Sequence, residues 1–355
     1  MLFLRVFFIC ISEQEKEIDM GSPEISFIVP LYRFTESELN RCLQSIGKSA
    51  PDVSYEIILV LDGEEQAKSV PDYSAYPHLI LIERPHQGVS ATRNAGIAQA
   101  RGKWIAFVDV DDLVASGAYS DLLYVANAND SVDLVVSNHI RRYGNVDAPI
   151  LNYSEPVQEW TSEQFISMVL KPACDGGTVW GSLFRRPTVM SMPGWFSERL
   201  SNGEDIEFLV RFIAHCKHVQ SMDRISYVYT INTSSSVRSF DTEYVRKMRL
   251  TIDAVHHDLK MNFPMALIDD IFPSFLLDRF LLCLRNYVFN PQHMKGARSR
   301  FRTLRNDACM QYAFAHMDGK LFEKMKYLVL LLSKYRAYCL LKLVYIAEEY
   351  LRKKG

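Results

Sequence analysis

Through the first 140 residues, short apolar runs alternate with segments of helical period. Residues 25–29 (ISFIV) form a run that ends at Pro30. The T-E-S-E stretch at 35–38 has the form of a capping box. After it, Leu39, Cys42, Leu43 and Ile46 recur at the spacing of one helix face. Runs at 56–61, 79–82, 104–108 and 133–136 predict further strands. Residues 89–100, rich in small side chains and stopped by Gly102, predict a helix, as do residues 118–128. Strands that are apolar throughout, alternating with helices of crossover length, predict an α/β domain with a mostly parallel sheet flanked by helices. Past residue 150 the periodicity weakens. Helices are predicted at 161–170 and at 204–215, the latter with Ile206, Leu209, Val210 and Ile213 on one face, and beyond Phe240 the pattern is helical to the end.

The chain has 355 residues, 48% apolar and 23% charged, which leaves room for two domains. Its charge divides unevenly: 20 basic and 30 acidic side chains before residue 241, 20 and 12 from there on. An acidic first part and a basic second part predict different partners for each. The seven cysteines show no CxxC pair, so neither a disulfide frame nor a zinc site is expected. Residues 1–23 read as a leader or a misassigned start. Their apolar stretch is too short to span a bilayer and lacks a cleavage site, and Met20 precedes the first strand.

Candidate chemistry gathers just past the strand ends, where sheets of this kind hold their ligands. Tyr32, Asp62 and the FVDVDDLV stretch with Asp109, Asp111 and Asp112 all lie there. Carboxylates leaving a buried strand are costly unless paired or bound to a cation. A D-x-D in that place suits Mn²⁺ or Mg²⁺ held by few protein oxygens, with substrate phosphates completing the shell. An EF-hand starting at Asp109 is excluded by Val114 and Ser120 at its sixth and twelfth places. A phosphatase with a nucleophilic Asp carries its motif on the first strand, whereas this one is on the fourth. A solvated loop is the remaining alternative.

Four blocks then stand in order: SFIVPLY at 26–32, EIILVLDG at 56–63, GVSATRNAGIAQARGKWIAFVDVDD at 88–112 and SNGEDIEFLVR at 201–211. Together they resemble the family 2 glycosyltransferases, inverting enzymes with the Rossmann-like GT-A fold. The resemblance implies a glycosyltransferase domain over 24–240, with a nucleotide-binding half at 24–140 and an acceptor half at 141–240. A basic helical region at 241–355 would follow. It implies a nucleotide-sugar donor, UDP-linked by preference, and a glycan or lipid-linked acceptor in surface polysaccharide synthesis. Carried over by position, Pro30, Tyr32, Asp62, Arg93 and Asp109 would contact the nucleotide-sugar, with Asn94 beside Arg93. Asp111, with Asp109, would hold the metal. Asp205 of the Glu204-Asp205 pair would be the general base, a role suited to a first-turn helix position. Trp180 would meet the acceptor, and Ser235, Ser236 and Arg238 the pyrophosphate. Leu61, His86 and Thr92 depart from the family pattern. The competing class is a non-catalytic glycan-binding or scaffolding member of the fold.

The basic region adds a separate expectation. Lys295, Arg298, Arg300, Arg302 and Arg305 cluster, and residues 324–354 mix apolar runs with Lys and Arg. A basic amphipathic helix can lie on an anionic membrane face, so a cytoplasmic protein peripheral to the inner membrane face is expected. No nucleic-acid motif is present.

Overall fold

The computed structural model describes residues 5–7, 22–63, 78–172, 174, 177–231 and 240–352. Most of the predicted leader and the Ser235, Ser236 and Arg238 positions lie outside the described residues. The chain divides into two units, Met1–Phe165 with Thr178–Asn232, and Ile166–Gly177 with Thr233–Gly355.

The first unit begins with β1 (Arg5–Phe7), β2 (Ile25–Leu31), α1 (Glu36–Ser49), β3 (Tyr55–Asp62) and β4 (Leu79–Arg84). It continues with α2 (Val89–Gln99), β5 (Trp104–Phe107), β6 (Leu113–Val114), α3 (Ala118–Asn127) and β7 (Val132–Tyr143). Then come β8 (Val146–Ile150), β9 (Gln158–Trp160), α4 (Ser162–Val169), whose residues from Ile166 on are assigned to the second unit, β10 (Ser182–Arg185), α5 (Arg186–Ser191), α6 (Glu204–His215) and β11 (His218–Thr230). Among the described residues these strands form one eleven-stranded sheet, ordered β1-β4-β3-β2-β5-β10-β7-β11-β6, with β8 on β7 and β9 on β11.

The stretch β4-β3-β2-β5 is parallel throughout, as the alternation of strands and helices requires. The capping box forms as read: Thr35 Oγ1 accepts from Glu38 N–H, and Glu38 accepts from Thr35 N–H. Leu39, Cys42, Leu43 and Ile46 are buried. Beyond β5, antiparallel strands complete the sheet; β7 also pairs with β11 in parallel. β11 is hidden in the sequence because its pairing with β7 shifts register between Met222 and Ile225. Asp223, set between those shifts, accepts from Asn138 Nδ2 at 3.1 Å. A bulge there breaks the period-2 signal.

Strand order turns back on itself at β2, with β3 on one side and β5 on the other. That reversal marks where a ligand is received. Pro30 fits the same place. Ile28 accepts from Val108 N–H, so Pro30, two residues on, faces the side where pairing with β5 has ended. Its missing N–H costs no ladder bond there. α2 lies close against β2: a Cβ on Gly96 would come within 2.4 Å of Ile28 Cγ2.

The second unit is helical: α7 (Tyr244–Asn262), α8 (Met265–Cys283), α9 (Ala297–Arg305), α10 (Ala308–Ala315), α11 (Lys324–Lys334) and α12 (Tyr338–Arg352). Part of the basic cluster is structural. Arg305 is buried and caps α11, donating to the carbonyls of Ser333 and Lys334 at 3.1 and 3.2 Å. Arg300 donates to the carbonyls of Tyr287, Val288 and Lys295. Lys295, Arg298 and Arg302 are exposed. Among the described residues no helix is long and apolar enough to cross a membrane.

Candidate functional site

Arg93, on α2, is the centre of the candidate site. Its guanidinium is 3% exposed and meets three carboxylates: Asp205 Oδ1 at 2.5 Å, Asp109 Oδ1 at 3.2 Å and Glu204 Oε1 at 3.5 Å. It also lies over the Phe196 ring at 5.3 Å. Asp109 leaves the end of β5; Glu204 and Asp205 open α6. Gly203, at φ 77°, turns the chain into α6 so that both acids fall in its first turn, where the helix dipole favours them. Asn94 secures the approach to α6 from the same helix as Arg93. It accepts from Phe196 N–H and donates to the Phe196 carbonyl, both at 2.9 Å. One sheet-packed helix thus joins the β5 end to the start of α6.

The electrostatics favour acid–base work at Asp205. Burial pushes its carboxyl up to about 7 against the opposing pull of Arg93, with Glu204 and Asp109 adding to the rise. Such a group gives and takes a proton near neutral pH.

The three aspartates after β5 separate into two kinds. Asp112 turns inward, 1% exposed, accepting from Thr230 N–H at 2.7 Å and from Tyr227 O–H at 2.9 Å. Burial, reinforced by the charges of Asp109 and Asp111, pushes it up to about 9. Asp109 and Asp111 stay half-buried. Among the described residues no three His, Cys, Asp or Glu side chains converge as a metal cage. Two carboxylates at an open strand end are instead the donor set of a hard cation that completes its shell with water and phosphate. The residues therefore fit Mn²⁺ or Mg²⁺ held by Asp109 and Asp111, and do not fit a closed zinc site.

Tyr227 was not singled out in the sequence, although the alternation of YVY at 227–229 marks its strand. Its hydroxyl accepts from Asp109 N–H at 3.0 Å while donating to Asp112, so it ties β11 to the D-x-D turn. Trp180 stacks on Tyr227 at 4.6 Å and on Tyr229 at 5.7 Å, and is 9% exposed. Its ring is built into the wall behind the turn. Tyr227→Phe keeps the stack and deletes the hydroxyl, leaving the Asp109 N–H and the buried Asp112 carboxyl each short of a partner. It is expected to cost about 1–3 kcal/mol, read from chemical denaturation; unchanged stability would show that the bridge carries no weight.

Asp62, at the end of β3, is 3% exposed. Oδ1 accepts from Gln87 N–H at 2.8 Å, and Oδ2 from Gly88 N–H at 3.0 Å and from the His86 Nδ1 side at 2.8 Å. Tyr32, past the end of β2, is 43% exposed and stacks on His86 with centroids 4.5 Å apart.

The sequence profile of Glycosyl transferase family 2 matches residues 26–189. EpsH of Bacillus subtilis (strain 168), which bears a glycosyltransferase name, is 26% identical over 89% of this chain and 93% of its own. The succinoglycan biosynthesis protein ExoO of Rhizobium meliloti (strain 1021) is 25% identical over 64% of this chain and 66% of its own. In structure, S. aureus TarS 1-349 in complex with UDP-GlcNAc superposes with a TM-score of 0.64 at 18% identity, covering 92% of each chain. With these matches and the α/β sheet already described, residues 26–189 form a domain of the Glycosyl transferase family 2, on the GT-A fold.

Proposed function

We propose that this glycosyltransferase is a metal-dependent inverting enzyme. It moves a sugar from a UDP-linked donor to a hydroxyl of a glycan or lipid-linked saccharide in surface polysaccharide synthesis. The observation that carries the reading is Arg93 between Asp109 and Asp205. It sets a metal-binding carboxylate and a base with a pKa of about 7 on one rigid link.

Asp109 and Asp111 would hold the cation, which when bound supplies positive charge beside the departing pyrophosphate. Tyr227 holds the D-x-D turn, and Arg93 keeps Asp109 in line with α6. Asp205 takes the proton of the acceptor hydroxyl as that oxygen attacks, and inversion by single displacement needs no protein nucleophile. The UDP preference is supported by the TarS complex with UDP-GlcNAc, and the polysaccharide setting by the name of ExoO.

Calorimetric titration with UDP, with and without Mn²⁺, tests the donor half. Binding is expected to tighten at least about tenfold with Mn²⁺, and Asp111→Ala is expected to remove that gain. Equal affinity with and without the ion would refute the metal assignment. A screen for released nucleoside diphosphate across UDP-, GDP- and dTDP-sugars then names the donor.

The second unit meets an anionic membrane surface in this reading. Along α12, Leu340, Leu343, Ile346 and Tyr350 are exposed on one helix face, with exposed Lys342 at its border. That layout suits an interfacial helix. Co-sedimentation with anionic vesicles is expected for the full chain and should weaken in Leu343→Asp. Equal partition to neutral and anionic vesicles, or none to either, counts against it.

A further inference from the structure

We propose that the outer face of α9 is a docking surface for an acidic glycan. In an enzyme that extends surface glycans, the reading above on which this use rests, such a surface holds the acceptor chain.

The face is laid out by helix geometry. Arg298 and Arg302 stand four residues apart on α9, so one lies above the other about 6 Å along the axis, with Lys295 just ahead of them. All three are exposed. Like charges at that spacing destabilise a helix, and cations near its start oppose the dipole. The first turn of α9 nevertheless holds no acid, and its N-cap, Gly296, has no side chain to cap the turn. The neighbouring cations behave differently: Arg300 and Arg305 are taken up by backbone carbonyls. Among the described residues Lys295, Arg298 and Arg302 meet no carboxylate. An anion laid along the row removes the repulsion. The Arg298 guanidinium is also held in place, over the Tyr338 ring at 5.9 Å. A fixed planar fork suits a carboxylate or phosphate oxygen pair better than a loose ammonium does.

What shares the face selects the partner. Beside the cations run Ser299, Thr303 and Asn306, all exposed, whose hydroxyls and amide both donate and accept hydrogen bonds. The apolar side chains Ala297, Phe301 and Leu304 are buried. An interfacial helix needs an exposed apolar face, and single-stranded nucleic acid needs exposed rings to stack on; α9 offers neither. Cations in one row and hydroxyl-reading groups in the next match a polymer that carries acids and hydroxyls together. The charge balance points the same way. Residues 241–355 carry 20 basic against 12 acidic side chains, the preceding ones 20 against 30. An acidic chain is drawn to the second part and repelled by the first. Capture on α9 therefore raises its concentration on the molecule that uses it.

Fluorescence anisotropy of labelled oligogalacturonate on the full chain, without donor or metal, tests this. Binding is expected to be about tenfold or more tighter than to a maltooligosaccharide of equal length. It is expected to weaken by about tenfold or more when Lys295→Gln, Arg298→Gln and Arg302→Gln are combined. Lys260→Gln, Lys320→Gln and Lys324→Gln together remove the same charge from exposed positions elsewhere in the second unit. That variant should change the affinity by less than about twofold. Poly(U) RNA is expected to bind more weakly than oligogalacturonate, and co-sedimentation with phosphatidylglycerol vesicles to survive the α9 substitutions. Each of four results overturns the proposal: no preference over the neutral oligosaccharide, equal losses in the two triple variants, tighter binding of the RNA, or α9 substitutions that abolish vesicle binding and spare glycan binding. The UDP titration with Mn²⁺ is independent of all these arms, so a failed donor or metal assignment and a failed glycan surface are told apart.

Discussion

Asp205→Asn is expected to lower sugar transfer by about 10²–10⁴-fold while leaving the affinity for UDP within about twofold. The amide keeps the shape of the carboxyl and an oxygen for Arg93, so the link to Asp109 survives. Only the capacity to accept a proton is lost. The pH dependence carries the same assignment. Burial holds the Asp205 carboxyl up at about 7, and a base works in its deprotonated form. Wild-type kcat/KM should therefore rise with pH through about 7 and level off above it, and the Asn variant should lack that limb. Stability moves the other way. A carboxyl whose folded pKa exceeds its unfolded one favours the fold when protonated, so this contribution is lost as pH climbs from about 4 to about 7. A coupled assay for released UDP and a denaturation series across that window check both. Full activity in the Asn variant would remove Asp205 from the base role.

The parts of the fold that were legible in the sequence are those in which one residue pattern serves one environment. β2, β3 and β5 are buried on both faces, so apolar runs announce them. The capping box at Thr35 is local and needs no tertiary partner. β11 was hidden because a bulge places Asp223 and Arg224 in mid-strand, and their polar character answers to Asn138 and to Asp121, residues far away in sequence. The site divides along the same line. The chain turns at the D-x-D, with Asp112 N–H donating to the Asp109 carbonyl at 3.1 Å, and Asp112 is buried by Tyr227 and Thr230 of β11, partners that no local pattern announces. Arg93 and Asp205, too, are 112 positions apart. Their types suggest charge, but only the fold shows that the guanidinium is spent on protein carboxylates. Asp62 divides likewise: its place before Gly63 is local, but the donors that hold it, on His86, Gln87 and Gly88, lie in a loop beyond β4.

Arg93→Met is expected to destabilise the protein by about 3–5 kcal/mol, the usual cost of removing one partner from a buried ion pair. The guanidinium is 3% exposed, and without it Asp109, Glu204 and Asp205 face one another with no cation between them. Arg93→Lys should recover only part of the loss. One ammonium is a point charge and cannot span two carboxylates as a planar fork does. A second readout separates packing from electrostatics. Arg93 lowers the Asp205 pKa against the effect of burial, so its removal must raise that pKa further. The ascending limb of kcat/KM is therefore expected to move above 7 in Arg93→Met, and to stay nearer its wild-type position in Arg93→Lys, which keeps the charge. Guanidinium denaturation gives the stability term and a pH–rate profile gives the shift. A folded Arg93→Met protein whose limb has not moved would show that Arg93 braces α6 without tuning the base.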